Sequence, residues 1–209
     1  MSQNEIPEIK LILLGEMAVG KTSIIKRYYE NSFNESEASS LTMSYVDKLI
    51  EINGYQYKLN IWDTIGQEQY RSISKLFLND AKIVILVYSI DNKKSFEELD
   101  FWYNLYKEEL GNDGVLGICG NKIDKYLEQE VTTEEGENYA KKRNAFFAEI
   151  SAKEDKKAID RFILNLVSIY YNKTKGIVIN DKKGVKLEQN DNKNENGGGC
   201  CSSKNEKNK

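Results

Sequence analysis

From Glu8 to Tyr171, short β-rich apolar runs alternate with amphipathic helical stretches. That alternation predicts a mostly parallel sheet covered by helices on both faces. Six runs read as strands: Lys10–Leu14, Met43–Ile52, Tyr55–Trp62, Ile83–Tyr88, Val115–Gly120 and Ala145–Ile150. The second and third are joined by Asn53-Gly54, a dipeptide suited to a type I′ turn, so that pair is an antiparallel hairpin while the others need crossovers. Helices are expected over Lys21–Glu30, near Ser72–Asn79, and over Ser95–Leu110, Thr132–Asn144 and Asp155–Tyr171. Thr132 with Glu135 has the spacing of a capping box. The fold class is therefore α/β, a single domain built on a six-stranded, mostly parallel sheet.

Beyond Tyr171 the chain turns to Asn, Lys, Asp, Glu and Gly, with too little apolar surface to offset the entropy of ordering a backbone. We expect a flexible N-terminus over 1–7, a folded domain over 8–171 and a flexible tail over 172–209. Charge divides the same way. The tail holds nine Lys against five acids, leaving the body at −7 within a total of −3. An acidic body argues against nucleic-acid binding, whereas a basic tail suits an anionic membrane surface. No run approaches the roughly 20 apolar residues of a membrane span. The polar start, Met1 to Lys10, lacks the apolar stretch of a secretory signal, which predicts a cytosolic chain with reduced thiols.

Composition narrows the chemistry further. The chain has no histidine, which excludes a Ser/His/Asp triad, a Cys/His dyad and imidazole-based zinc sites. Its three cysteines, Cys119 in an apolar run and the adjacent Cys200 and Cys201, form neither a disulfide framework nor a metal-ligand spacing. Any hydrolysis must rely on positioned water, metal and backbone groups.

Three motifs supply such groups. Gly15-Glu16-Met17-Ala18-Val19-Gly20-Lys21-Thr22 fits GxxxxGK[S/T] between a predicted strand and a predicted helix. Backbone N–H groups at Gly15, Ala18, Val19 and Gly20 can cradle phosphate, Lys21 can reach the β- and γ-phosphates, and the Thr22 hydroxyl can ligate Mg²⁺. Asp63-Thr64-Ile65-Gly66-Gln67 follows the third strand. There Asp63 can hold the metal, Gly66 can offer an N–H to the γ-phosphate, and Gln67 can orient the attacking water. Asn121, Lys122 and Asp124 follow the fifth strand, and Ser151, Ala152 and Lys153 the sixth, at the strand ends where open α/β sheets bind ligands. Asp124 can accept from N1 and N2 of guanine, a donor pair that adenine lacks. The Ala152 N–H would face the guanine O6 and the Lys122 stem would cover the ring.

The order GxxxxGKT, DxxGQ, NKxD, SAK resembles the Ras-like small GTPases over Ile9 to about Tyr171, and WDTxGQE resembles the Rab family within them, closest to its endocytic subgroup. The resemblance extends to Gly197-Gly198-Gly199-Cys200-Cys201. It implies a P-loop GTPase domain that uses GTP, GDP and Mg²⁺ and works as a monomer. Its implied partners are effectors, an exchange factor, a GTPase-activating protein and the cytosolic face of an endomembrane, endosomal by subgroup. By register it places Phe33 over the base edge and Ser40 at the metal-binding threonine of switch I. It also places Tyr45, Trp62 and Phe77 at the aromatic triad that meets effectors, and lipid on Cys200 and Cys201.

Several residues depart from the family pattern. Thr42 stands where the family has glycine, so Ser40 and Thr42 both offer a hydroxyl to the metal. Ile65 replaces the alanine of DTAGQ, and Met17 brings bulk to the P-loop; both are expected to slow hydrolysis by displacing the attacking water. No arginine lies between Glu30 and Thr42, which leaves no internal finger and an intrinsic turnover on the order of 10⁻⁴ s⁻¹. Eight residues follow the cysteine pair, where Rab termini end sooner. Double geranylgeranylation, S-palmitoylation and no lipid therefore remain alternatives.

Overall fold

The computed structural model describes residues 6–34, 44–63 and 77–176. Strands β1 (Glu8–Leu14), β2 (Ser44–Ile52), β3 (Tyr55–Asp63), β4 (Ile83–Ser89), β5 (Val115–Asn121) and β6 (Phe146–Glu149) form one sheet in the order β2-β3-β1-β4-β5-β6. Only β2 and β3 run antiparallel. Their turn residues have φ of 51° at Asn53 and 78° at Gly54, as a type I′ turn requires.

Among the described residues, the complete helices are α1 (Lys21–Glu30), α2 (Lys93–Glu97), α3 (Leu99–Leu110), α4 (Thr133–Lys142) and α5 (Lys156–Thr174), with a 3₁₀ helix over Ile123–Glu128. Alternation along β1 sorts them onto two faces. Ile9, Leu11 and Leu13 pack with Ile24, Ile25 and Tyr28 of α1 and with Phe162, Ile163 and Leu166 of α5. Ile12 and Leu14 pack on the other side with Leu99, Trp102 and Leu105 of α3 and Ala140 of α4. Because both faces are covered, β4 and β5 are buried at every position.

Two helices differ from the sequence expectation. The stretch expected as one helix from Ser95 to Leu110 is two, parted at Glu98 (φ −70°, ψ −8°). The Asn92 side chain caps α2 by accepting from the Ser95 N–H, and Phe96 before the break lies 5.0 Å from the Tyr88 ring and 5.4 Å from Tyr139. After the break, Leu99 and Trp102 fill the core. The last helix continues past Tyr171 to Thr174, since the Tyr171 carbonyl still accepts from the Lys175 N–H. Most of the helix expected near Ser72–Asn79 lies outside the described residues. The capping box at Thr132 and Glu135 is present.

Small residues set the spacing beneath α4. A Cβ on Gly136 would come within 2.4 Å of the Tyr88 hydroxyl and 2.7 Å of the Phe147 ring, and Tyr88 is fully buried. Gly136→Ala gains about 1 kcal/mol of helix propensity but meets an overpacking cost of about 1–3 kcal/mol. With no room for Tyr88 to yield, overpacking wins, and urea unfolding should show a lower midpoint; an unchanged or higher midpoint contradicts this packing.

Candidate functional site

The loop after β1 crosses close to β4, where a Cβ on Gly15 would meet the Val87 carbonyl oxygen at 2.2 Å. Gly15, Ala18 and Gly20 have φ of 146°, 62° and 95°; glycine adopts such angles freely, whereas Ala18 carries a Cβ into the left-handed region. The Val19 side chain is buried in the core and anchors the loop from below. Gly20 then opens α1 without a capping side chain, and the first turn of α1 has no acidic residue. Each of the other described α-helices has a capping side chain or a first-turn acid. The N-terminus of α1 thus keeps its positive end for an external anion.

Lys21 is 5% exposed. Its ammonium donates to the carbonyls of Gly15 at 2.8 Å and Glu16 at 2.9 Å. Burial lowers its pKa from the ordinary 10.5 to about 8, partly opposed by the carboxylates of Asp63 and Glu16. The Thr22 hydroxyl donates to Asp63 Oδ2 at 2.7 Å, and Asp63 is 2% exposed. Two hard oxygen donors at that separation suit Mg²⁺, whose neighbouring octahedral ligands lie about 2.9 Å apart for bonds of about 2.05 Å. Ser40, Thr42, Ile65, Gly66 and Gln67 lie outside the described residues.

On the far side of the same strand ends, Asn121 is 1% exposed and works in two directions. Its Nδ2 donates to the Val19 carbonyl at 2.8 Å, while Oδ1 accepts from the Ala152 N–H at 3.2 Å. A Cβ on Gly20 would lie 2.3 Å from that same Nδ2, so the second P-loop glycine makes room for Asn121. The Ala152 N–H, expected to face a base, thus bonds to Asn121 in this structure. Ser151 donates its hydroxyl to Asp124 Oδ1 at 2.5 Å and accepts from the Glu154 N–H at 3.1 Å. Lys122 has a φ of 67°, and its ammonium lies 3.8 Å from Asp91. Lys125 donates to Asp91 at 2.8 Å. Asp91 also accepts from the Ser89 hydroxyl. Despite desolvation, which acts to raise it, its pKa is lowered by the hydrogen bonds from Lys125 and Ser89 and by the charges of Lys122 and Lys125.

The structure therefore brings Gly15, Ala18, Val19, Gly20, Lys21, Thr22 and Asp63 together with Asn121, Asp124, Ser151 and Ala152. Phe33 is half-buried against the α1–α5 core. Tyr45 and Trp62 stack at 5.2 Å and 22°. Trp62 and Phe77 both pack on the opposite core, and Tyr45 is 55% exposed. Cys200 and Cys201 lie outside the described residues. Sequence reasoning did not single out Asp91, which holds Lys122 and Lys125, or Arg27, which donates to the carbonyls of Ala152 and Lys153.

The Ras family model matches residues 10–176. The Ras-related protein Rab-21 of Mus musculus is 35% identical over 204 residues, covering 93% of this chain and 91% of that protein. Rab-21 of Homo sapiens is 36% identical over 205 residues, covering 93% and 91%. The fold and these matches define a small GTPase: the chain belongs to the Ras family and, within it, to the Rab group of the endocytic type. GTP hydrolysis and the use of guanine nucleotides with Mg²⁺ follow from that membership. No helix among the described residues is long and apolar enough to cross a membrane.

Between about pH 8 and 10.5 the unfolded chain binds a proton at Lys21 that the folded chain does not, so stability rises with pH across that window. In protein stripped of nucleotide, wild type should gain up to roughly 3 kcal/mol on Lys21→Met between these limits. A stability difference that stays flat with pH, followed by chemical denaturation, contradicts the burial of this ammonium.

Proposed function

We propose that the protein is a GTP/GDP-switched regulator of vesicle or membrane trafficking that binds effector proteins in the GTP state and hydrolyses GTP slowly. The observation that carries this reading is the double hydrogen bond of Asn121 to Val19 and Ala152. It joins the P-loop to the loop carrying Ser151, Ala152 and Lys153, so that one pocket can hold a phosphate chain and a purine base.

The residues divide the work as follows. Backbone N–H groups of Gly15, Ala18, Val19, Gly20 and Gly66 hold phosphate oxygens, and Lys21 neutralises charge at the β- and γ-positions. Asp124 reads the guanine edge, held by the Ser151 hydroxyl; Asn121, Lys122, Ala152, Lys153 and Phe33 enclose the base. Thr22, Asp63 and Ser40 supply the metal ligands, with Thr42 as the alternative to Ser40. Mg²⁺ in that site would offset the charge of the phosphates and help hold the switch segments. Gln67 positions the attacking water, and catalysis resets the switch.

Effectors meet Tyr45, Trp62 and Phe77, a surface for which the exposed face of the Tyr45–Trp62 stack speaks. An exchange factor and a GTPase-activating protein set the two rates. The protein acts as a monomer, without nucleic acid, on the cytosolic face of endosomal membranes, attached through the basic tail and lipid on Cys200 and Cys201. In this reading the domain ends near the close of α5 and residues beyond it serve as the tail.

Base recognition is tested by comparing guanine and xanthine nucleotide affinities for wild type and Asp124→Asn. The substitution should move preference towards xanthine by on the order of a hundredfold or more; an unchanged ratio removes Asp124 from the role.

A second reading is a pseudo-GTPase that holds nucleotide with little hydrolysis, the outcome if Ile65 blocks the attacking water. Met17, 52% exposed on the P-loop, would add bulk near the γ-phosphate. In single-turnover assays the Met17→Ser, Ile65→Ala double variant should hydrolyse GTP faster than wild type. Equal rates dispose of the obstruction.

A further inference from the structure

The nucleotide roles proposed above leave one buried-edge contact unused. Arg27, in the last turn of α1, sends its guanidinium across to the loop after β6. Nε donates to the Ala152 carbonyl at 2.8 Å and Nη2 to the Lys153 carbonyl at 2.5 Å. Nη1 donates to the carbonyl of Asn31, the residue that ends α1, at 3.4 Å. The guanidinium carbon lies 5.8 Å from the centre of the Phe33 ring. One side chain thus joins the helix that starts at the P-loop, the end of that helix, the aromatic Phe33 and two successive peptide groups of the base loop.

The geometry of those contacts demands arginine. Two carbonyls one residue apart are met by Nε and Nη2 along one edge of a planar, permanently charged fork, which a lysine ammonium cannot reproduce. The peptide groups at Ala152 are then fixed from both sides: the N–H by Asn121 Oδ1 at 3.2 Å and the C=O by Arg27. Without the second anchor, Ala152 is held by Asn121 alone, and its N–H loses the orientation from which it can be shared between Asn121 Oδ1 and the O6 of a base held by Asp124.

We propose that Arg27 is a positioning residue for guanine recognition, a latch that holds the Ala152 N–H and Phe33 in place and thereby sets how slowly nucleotide leaves. The inference rests on the nucleotide-site reading of the previous subsection. The contacts of Arg27 go to the loop after β6, the end of α1 and Phe33, and none of them goes to Thr22 or Asp63, so its contribution is independent of the metal.

The test is the dissociation of fluorescent GDP from wild type, Arg27→Lys and Arg27→Gln, with Mg²⁺ and with a chelator, together with the affinity ratio of GDP to 6-thio-GDP, whose sulfur is a weaker acceptor than O6. Both variants should release GDP about tenfold faster than wild type, the order of one lost charge-assisted hydrogen bond. The factor should be the same with and without Mg²⁺, and the preference for GDP over its 6-thio analogue should shrink. A clamp that only stiffened the fold would lower the thermal midpoint and leave that ratio unchanged, which overturns the proposal. So do variant rates within twofold of wild type, full rescue by Arg27→Lys, or acceleration that vanishes on chelation. If wild type itself forms no GDP complex, the nucleotide reading fails and takes the latch with it; intact wild-type binding with unaffected variants removes the latch alone.

Discussion

Everything in this molecule is arranged around an ammonium group that has been taken out of water. Lys21 is buried where β1 gives way to α1, and two backbone carbonyls are the hydrogen-bond acceptors drawn around it. Desolvation of a charged amine is costly unless opposite charge is near. Asp63 and Glu16 offset part of that cost, and a polyphosphate would offset much more. The start of α1, with no capping side chain, favours an anion at the same place. The sheet order explains why this is possible: β1 lies between β3 and β4, so its C-terminal end brings Lys21 beside Asp63 and within reach of the loops after β5 and β6.

A phosphate site alone would serve many nucleotides. In the proposed reading, selectivity comes from the linkage of the phosphate loop to the base loop. Asn121 connects Val19 to Ala152 across the pocket floor. Ser151 holds Asp124, and the Asp91 carboxylate sets the ammonium groups of Lys122 and Lys125. Buried polar groups that are each satisfied by a specific neighbour tolerate little displacement. On the proposed role of Asp124, a base that offers its carboxylate no donor would be rejected more strongly than one that merely fits poorly.

Much of this was legible in the sequence because it depends on local chemistry. The six strands follow from apolar runs, Asn53-Gly54 dictates its turn, and Thr132 with Glu135 caps α4 as their spacing implies. The motifs pointed to Lys21, Thr22, Asp63, Asn121 and Asp124 because those side chains lie at fixed offsets from strand ends. The break at Glu98 was hidden, since both sides of it have helical periodicity and the deciding contacts of Phe96, with Tyr88 of the preceding strand and Tyr139 of α4, are tertiary. The short helix Ile123–Glu128 was hidden too, its exposed Tyr126 and Leu127 giving no amphipathic period. Arg27 could not have been found, because its acceptors are backbone carbonyls far along the chain. Ser40, Gln67 and the cysteine pair are known here from sequence alone.

The most direct test of the central interaction is calorimetry of GDP binding to stripped protein in magnesium buffer at pH 8, repeated in buffers of different ionisation enthalpy. If Lys21 is a partly discharged amine that phosphate restores to full charge, GDP must bind and the observed heat must report net proton uptake. Absence of a GDP complex, or binding whose heat is independent of the buffer, contradicts the account.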